Sequence, residues 1–266
     1  MYMKYLSLPL AGLVLAMSLV APLTSHAATL TSYFNAGDLI KGSGSAVYYF
    51  AQDGRRYVFP NEKTYFSWYR DFSDVVTIPD EHLALMPLGR TNVTYRPGFK
   101  MLKVITDPKI YVVDRGGILR YVTSEGLART LYNLNWNDRV DDISDAFFSN
   151  YRIGTPIQTA TDYVPADVMT LTPTIFDDKG FAKNKITITI GTLRAGFVPT
   201  TFTIKKGIEV TWTNHDSAEH SVKGNGWISP NLRPEQSWSR VFPSTGSFDY
   251  TCGIHSAMQG TINVVQ

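Results

Sequence analysis

The chain has 266 residues, of which 44% are hydrophobic and 13% aromatic, and it carries 25 Lys and Arg against 23 Asp and Glu. This composition is typical of a globular chain and excludes a largely disordered one. The small net charge gives no electrostatic case for nucleic-acid binding, and the length favours two domains over one.

The first 27 residues have the pattern of a secretory signal peptide. Lys4 is followed by an apolar run from about Leu6 to Leu23 and then by Ser25-His26-Ala27, which is an A-x-A-like cleavage site. We therefore expect cleavage after Ala27 and an exported protein, which is periplasmic, at the cell surface or extracellular. An uncleaved membrane anchor stays open as the alternative, because the run is nearly long enough to span a bilayer. No transmembrane segment is predicted after this cleavage site.

The next predicted region, residues 28–156, is an α+β domain that contains an internal repeat. Segments 46–61 and 109–124 each consist of two β-rich runs around a tight turn, Asp53-Gly54 in the first and Gly116-Gly117 in the second. Runs joined in this way predict a β-hairpin. The two copies are similar to repeats of exported bacterial proteins of unknown function, so the resemblance implies no activity.

Short helices are predicted after each hairpin. Asn61 and Ser124 stand at N-cap positions, and further short helices are predicted at Asp80 to Met86 and at Asp145 to Tyr151. The repeating unit is therefore a hairpin plus two short helices. Because neither unit can bury a core by itself, we expect the two units to pack together.

The same region is rich in aromatic side chains, a feature that also suits stacking against carbohydrate. We interpret them as core residues, because most aromatic side chains in small folded units are buried. They are Tyr48, Tyr49, Phe50, Tyr57, Tyr65, Phe66, Trp68 and Tyr69. A cell-envelope ligand is the remaining functional expectation for these repeats.

Residues 157–185 contain prolines and many threonines and are predicted to be a mostly extended connector between domains. Over residues 186–266 the pattern changes to short strands separated by turn residues. These strands are the segments ITITIG, TFTIKKG, IEVTWTN, WSRVF, FDYTC and TINVV. Short strands at close spacing predict an all-β sandwich or barrel.

The chain has one cysteine, Cys252, which is followed by His255 and Met258. A thiolate, two imidazoles and a weakly bound thioether suit copper that cycles between Cu(I) and Cu(II). His215 and His220 are the candidates for the second imidazole. The sequence therefore predicts a copper site near the C-terminal end of the chain.

Three other roles for Cys252 fit its neighbours less well. A thiol nucleophile with His255 as its base leaves Met258 without a role. Structural zinc sites favour more cysteines, and methionine is a poor zinc ligand. A buried free cysteine that only packs leaves the surrounding metal-binding donors unexplained.

Residues 201–222 and 250–265 together resemble the plastocyanin and amicyanin branch of the cupredoxins. The Cys-x-x-His-x-x-Met spacing is similar to the short ligand loop of amicyanin-like proteins. Upstream, Trp212, Asn214 and Val222 match the pattern that surrounds the first histidine ligand. The similarity covers about the last third of the chain.

This resemblance implies a Greek-key cupredoxin sandwich over residues 186–266 that holds one mononuclear type 1 copper ion. It also implies that Asn214 ties the two ligand loops together, and that His215 is a loop residue near the site. The implied ligands are His220, Cys252, His255 and Met258.

The resemblance implies one-electron transfer with a redox partner protein, and not an enzyme, because the other histidines after the signal segment are too few for a catalytic copper cluster. Two alternatives stay open. One is a copper-binding carrier or storage protein without redox partners. The other is a cell-surface binding protein in which the repeats do the main work and the cupredoxin domain is an accessory.

Overall fold

The computed structural model describes residues 34–266. The predicted signal peptide and the first residues of the predicted N-terminal domain lie outside this range. Four β-sheets and six short α-helices make up the described part. None of the helices in residues 34–266 is long and apolar enough to cross a membrane. We call residues 34–183 the N-terminal region and residues 185–265 the sandwich.

The first unit of the N-terminal region is one four-stranded sheet with two helices. Its strands follow the order β3-β2-β1-β4, in which β1 and β4 are parallel and the other neighbours antiparallel. The elements are β1 (Leu39–Lys41), β2 (Tyr48–Phe50), β3 (Arg56–Val58), α1 (Glu62–Trp68), β4 (Val75–Thr77) and α2 (Asp80–Leu85).

The second unit has the same succession of elements with one extra strand. Its sheet order is β8-β5-β6-β7-β9, in which β5 and β8 are again parallel and the added strand β9 is parallel to β7. The elements are β5 (Met101–Val104), β6 (Ile110–Asp114), β7 (Ile118–Tyr121), α3 (Glu125–Tyr132), a 3₁₀ helix (Trp136–Arg139), β8 (Val140–Ile143), α4 (Asp145–Phe148) and β9 (Arg152–Ile153).

The predicted turns and caps of both units are present. Gly54 and Gly116 join the hairpin strands with φ of 74° and 71°, a backbone region that favours glycine. The Asn61 side chain accepts a hydrogen bond from the backbone N–H of Thr64 at 2.8 Å, and the Ser124 hydroxyl accepts one from Leu127 at 3.2 Å. Each cap satisfies a backbone donor that the helix itself leaves unpaired, so α1 and α3 begin where the sequence predicts.

The prediction of an extended connector over residues 157–185 is wrong. This segment contains a 3₁₀ helix (Ala160–Asp162), α5 (Pro165–Leu171) and α6 (Ile175–Lys179). Pro165 begins α5, and the Thr174 hydroxyl caps α6 by accepting from the N–H of Asp177. The segment also packs, because Ile175 is fully buried against the first unit. The prolines and threonines therefore start short helices here.

The sandwich consists of two sheets, with strand orders β11-β10-β13-β16 and β12-β18-β17-β14-β15. Its six predicted strands are all present, together with three strands of two residues each. The nine strands are β10 (Lys185–Ile190), β11 (Phe197–Val198), β12 (Thr201–Lys205), β13 (Glu209–Asn214), β14 (Lys223–Gly224), β15 (Trp227–Ile228), β16 (Ser237–Val241), β17 (Gly246–Thr251) and β18 (Gln259–Val265).

The first unit and the sandwich share one hydrophobic core, which the sequence does not predict. Phe50 and Met86 of the first unit belong to the same buried cluster as Ile188 and Phe197 of the sandwich. The two units contact each other, for example through the hydrogen bond from Asn92 Nδ2 to Asn150 Oδ1 at 3.0 Å. Their buried apolar clusters are separate, however, so the expected common core of the two units is not present in the described residues. The first unit is thus packed between the second unit and the sandwich.

Candidate metal centre

The segment before His220 is held by the side chain of Asn214, the last residue of β13. Asn214 is fully buried, and its amide donates hydrogen bonds to the carbonyl oxygens of Ala218 and Leu232, both at 2.8 Å. The backbone of His220 then pairs with Leu232 in both directions, with N–O distances of 3.1 and 2.6 Å. These bonds fix the position of the His220 ring.

The segment with Cys252 is a tight loop between β17 and β18. The loop is closed where Thr251 pairs with Gln259, the first residue of β18. Inside it, the N–H of Cys252 donates to the carbonyl oxygen of Met258, and the N–H of Met258 donates to that of His255, both at 3.0 Å. The short sequence spacing therefore brings three sulfur and nitrogen side chains to one end of the sandwich.

His220, Cys252 and His255 converge at this end. The Cys252 Sγ atom lies 3.6 Å from His220 Nδ1 and 3.7 Å from His255 Nδ1, and the two Nδ1 atoms lie 3.2 Å apart. His220 and Cys252 are buried, whereas His255 is half-buried. Met258, in the same loop, is fully buried. His215 does not join this cluster, because its Nδ1 atom lies 3.1 Å from Glu235 Oε1 instead.

The thiol of Cys252 lies in surroundings that favour its ionised form. Burial alone would raise its pKa, but hydrogen bonds with His220 and with the backbone N–H groups of Ser221, Ile254 and His255 lower the pKa to about 6. The N–H of Ser221 lies 3.4 Å from Sγ. The thiolate is therefore accessible near neutral pH, and the thiolate is the form that binds metals.

Two residues that the sequence reasoning missed hold this cluster in place. Asp216 Oδ2 lies 3.0 Å from His220 Nε2, so the opposite nitrogen, Nδ1, is the one turned to Cys252. Burial alone would raise the pKa of Asp216, yet hydrogen bonds with His220 and Ser217 lower it below its usual value. Asp216 is therefore a carboxylate that orients the ring, as carboxylates do beside metal-binding histidines.

Ser221 is the second missed residue, and it corrects the expectation for Asn214. The Ser221 hydroxyl accepts a hydrogen bond from the N–H of Gly253 at 3.1 Å, which connects the His220 segment with the Cys252 loop. The hydrogen bonds of Asn214 run to Ala218, Leu232 and Asp216, all on its own side of the site. The position of Ser221 directly after His220 was the one sequence signal for this link.

The donor set fits a transition-metal ion with soft or borderline ligand preferences. A point equally far from Sγ and the two Nδ1 atoms lies about 2 Å from each, close to the length of a metal–imidazole bond. One thiolate and two imidazoles are typical of copper and zinc sites. Their convergence needs a cation or protons between them, because each nitrogen and the sulfur present lone pairs to the same point.

The similarity to the known proteins described here covers a small part of the chain. No family model matches it. Over 68 residues the chain is 38% identical to amicyanin-alpha of Methylorubrum extorquens, covering 23% of this chain and 57% of that protein. It is also 31% identical over 68 residues to amicyanin of Paracoccus denitrificans, of which it covers 52%. The chain thus spans about half the length of the curated relatives that it matches.

Solved structures give matches over a similar share of the chain. A purple cupredoxin from Nitrosopumilus maritimus is 29% identical, and the match covers 30% of this chain and 98% of that one with a TM-score of 0.28. A reduced amicyanin variant is 26% identical over 32% of this chain and 86% of its own, with a TM-score of 0.30. The sequence similarity to the two amicyanins supports a cupredoxin domain over the matched 23% of the chain.

Proposed function

We propose that the sandwich binds one copper ion as a type 1 site and transfers single electrons in an exported protein. His220, Cys252 and His255 would hold the ion, with Met258 of the same loop as a weaker fourth ligand. The observation that carries the proposal is the convergence of the Cys252 sulfur and two imidazole nitrogens within 4.8 Å of one another. The similarity of this part of the chain to amicyanins supports copper as the metal.

Bound copper supplies a one-electron redox couple, and the chain supplies a rigid set of donors. Asp216 holds the His220 ring, while Ser221 joins the two ligand segments and donates its N–H to the sulfur. Because the ligand positions are held by hydrogen bonds within the fold, little rearrangement accompanies a change in charge at the site. A site of this kind favours fast electron transfer, and its hydrogen bonds and apolar surroundings tune the potential.

The loop after Cys252 offers a place where electrons enter and leave. His255 is half-buried at the end of the sandwich, and Ile254 next to it is 45% exposed. Ala257, on the same loop, is exposed as well. A small apolar surface around a ligand suits a transient redox partner, since such partners use small interfaces.

The decisive experiment is the visible spectrum of the purified protein after addition of Cu(II). We expect the intense charge-transfer band of a copper–thiolate bond, and its complete loss in Cys252→Ala. His220→Gly loses the band and regains it with added imidazole, whereas His215→Ala keeps it as the matched control. A colourless copper complex of the intact protein contradicts the proposal.

Electron self-exchange separates electron transfer from copper storage. The exchange rate of the copper-loaded protein should be fast and should fall in Ile254→Lys without a change in the visible spectrum. Val241→Lys is the control for added charge, because Val241 is exposed and pairs with Glu209, at the end of β13 opposite to Asn214 and the metal centre. A protein that holds copper but exchanges electrons slowly would be a carrier or storage protein.

A further inference from the structure

We propose that the N-terminal region binds a glycan chain through two equivalent clefts, one in each unit. The first cleft lies between the start of β2, the end of β3 and the first turn of α1, with Phe72 as one wall and Phe147, from α4 of the second unit, as the other. The second cleft lies between the start of β6, the end of β7 and the first turn of α3, with Trp136 as its wall. Their volumes are about 550 and 250 Å³.

The two clefts occupy the same position in the two units. When segment 46–61 is aligned with 109–124, the lining residues of the first cleft fall on those of the second. The matched pairs are Val47 with Ile110, Val58 with Tyr121, Phe59 with Val122, Asn61 with Ser124, and Glu62 with Glu125. Each cleft therefore presents an apolar base, a helix-capping side chain and one carboxylate.

The aromatic residues Phe72 and Trp136, which form walls of the two clefts, do not stand at equivalent positions in the two units. Phe72 comes from a turn between α1 and β4, whereas Trp136 begins the 3₁₀ helix after α3. At the base of the first cleft Tyr65 supports Phe72, and at the corresponding place in the second cleft the small side chain of Ala128 lies next to Trp136. Phe72 and Trp136 thus reach their clefts from different local structures, and Phe147 of the second unit adds a further ring to the first cleft.

Phe72 has the exposure of a ring that stacks on a ligand. One of its faces stacks on Tyr65, with ring centroids 4.4 Å apart and an interplanar angle of 25°. Nevertheless 46% of the residue is exposed. Sugar rings have an apolar C–H face and a rim of hydroxyl groups. A half-exposed aromatic ring with amide, hydroxyl and carboxylate groups beside it matches both features of a sugar ring.

An extended peptide fits these clefts less well than a glycan. Peptides that bind beside a sheet gain affinity by pairing with a free edge strand. At the first cleft the carbonyl oxygen of Val58 already accepts the N–H of Val93 at 2.9 Å. At the second cleft β9 pairs with β7, and Val122 forms a bridge with Ile157. The edges that a peptide would need are therefore occupied by the chain itself.

Two equivalent sites on one protein suit a ligand that repeats along its length. A polymer that reaches both clefts binds the second one as an intramolecular step, so its affinity exceeds that of a short fragment by a large factor. A disaccharide occupies each cleft separately and has no such advantage. The proposal therefore predicts a dependence of affinity on ligand length as well as on the aromatic walls.

The test uses the full chain and a glycan array of neutral and N-acetylated hexose oligomers, with chitin, cellulose and peptidoglycan sacculi as polymers. We expect binding to at least one polymer. Phe72→Ala and Trp136→Ala should each weaken polymer binding by roughly tenfold or more, while halving the number of sites for the matching disaccharide. Leu134→Ala, at an 80% exposed position outside both clefts, is the control.

Glu62→Gln and Glu125→Gln repeat the test without touching the packed rings, in case Trp136→Ala fails to fold. Each should weaken binding and change the thermal midpoint little, since the ion pair with Arg129 that Glu125→Gln also removes is exposed. Absence of binding to every glycan overturns the proposal, and so does an equal loss in Leu134→Ala. Binding of a proline-rich decapeptide that depends on Phe72 and Trp136 would overturn it in favour of a peptide ligand. None of these binding measurements depends on whether copper is bound to the sandwich.

Discussion

In the N-terminal region, tyrosine hydroxyls at the edges of several small cores bond to carboxylates and carbonyl oxygens, whereas the sandwich stacks its tryptophans in one core. Tyr57 donates to Asp53 at 2.7 Å, and Tyr163 donates to the carbonyl oxygen of Val113 at 2.7 Å. In the sandwich Trp212 and Trp227 each stack on Trp238, with centroids 5.6 and 5.7 Å apart.

The difference follows from the size of the sheets. A small sheet encloses a narrow core, so the hydroxyl group of a large buried tyrosine ring lies within reach of a carboxylate or a backbone carbonyl oxygen and needs such a partner. Two longer sheets packed face to face enclose a continuous apolar layer. This layer gives the sandwich the rigid end on which His220 and Cys252 are held, while the N-terminal region keeps half-exposed rings at its surface.

The largest expected effect comes from Trp212→Ala in the sandwich. Trp212 is fully buried and also contacts the rings of Phe242 and Tyr250. Its truncation should lower the free energy of unfolding by about 5 kcal/mol, the upper end for a buried aromatic residue. Denaturant unfolding followed by circular dichroism measures it. Ile228→Ala, at an exposed site, should change stability by less than about 0.5 kcal/mol, and equal losses would contradict a single core.

Phe50→Ala should lower the free energy of unfolding somewhat less than Trp212→Ala, but it tests directly whether the first unit and the sandwich unfold together. Phe50 belongs to the first unit but is buried in the core that this unit shares with the sandwich. We expect a loss of about 3–4 kcal/mol. Hydrogen exchange should become faster in β10 and β13 as well as in β2. Faster exchange in β2 alone would show that the two regions unfold independently. Ile105→Ala, at an exposed site, is the control.

Alkaline pH should act on the N-terminal region first. Burial raises the pKa of Tyr65 and of Tyr111 to about 12, with nearby aspartates adding to the shift. Because the folded state holds these protons more tightly than the unfolded chain, their contribution to stability is complete below about pH 10 and is lost as pH rises towards about 12.

The measurement is the free energy of unfolding between pH 9 and pH 12 together with the ultraviolet absorbance of tyrosinate. We expect stability to fall over this range, and the fall to be smaller in the double variant Tyr65→Phe and Tyr111→Phe. A stability that stays constant up to pH 12 in the intact protein would show that these phenols are not protected by the fold.

The smallest change in the free energy of unfolding is expected from removing the ion pair between the sandwich and the first unit. Arg194 Nε of the sandwich lies 3.0 Å from Glu81 Oε2 of the first unit, and the side chains are 60% and 45% exposed. Glu81→Gln should therefore cost less than about 1 kcal/mol. Arg129→Gln, which removes the exposed pair with Glu125, is the matched control. A loss as large as that of Phe50→Ala would mean that charges, and not the shared core, join the regions.

Several features of the fold could be predicted because they depend on residues that are close in sequence. The turns at Gly54 and Gly116 and the caps at Asn61 and Ser124 all lie where expected. The convergence of Cys252 and His255 also follows from their spacing in one loop. The packing of residues 157–185 could not be predicted, because the burial of Ile175 depends on a unit more than a hundred residues away.

By itself, the sequence determined the strands of the sandwich, the hairpins of the two units and the donors of the Cys252 loop, since each of these is set by local backbone preference and spacing. The resemblance had already implied that His220, and not His215, joins Cys252, and the contact is present in the structure. Only the tertiary structure pairs His215 with Glu235. It also placed Asp216 and Ser221 as the supports of the cluster, and Phe50 inside the core of the sandwich. These are contacts in which the packing of whole sheets, and not local preference, selects the partner.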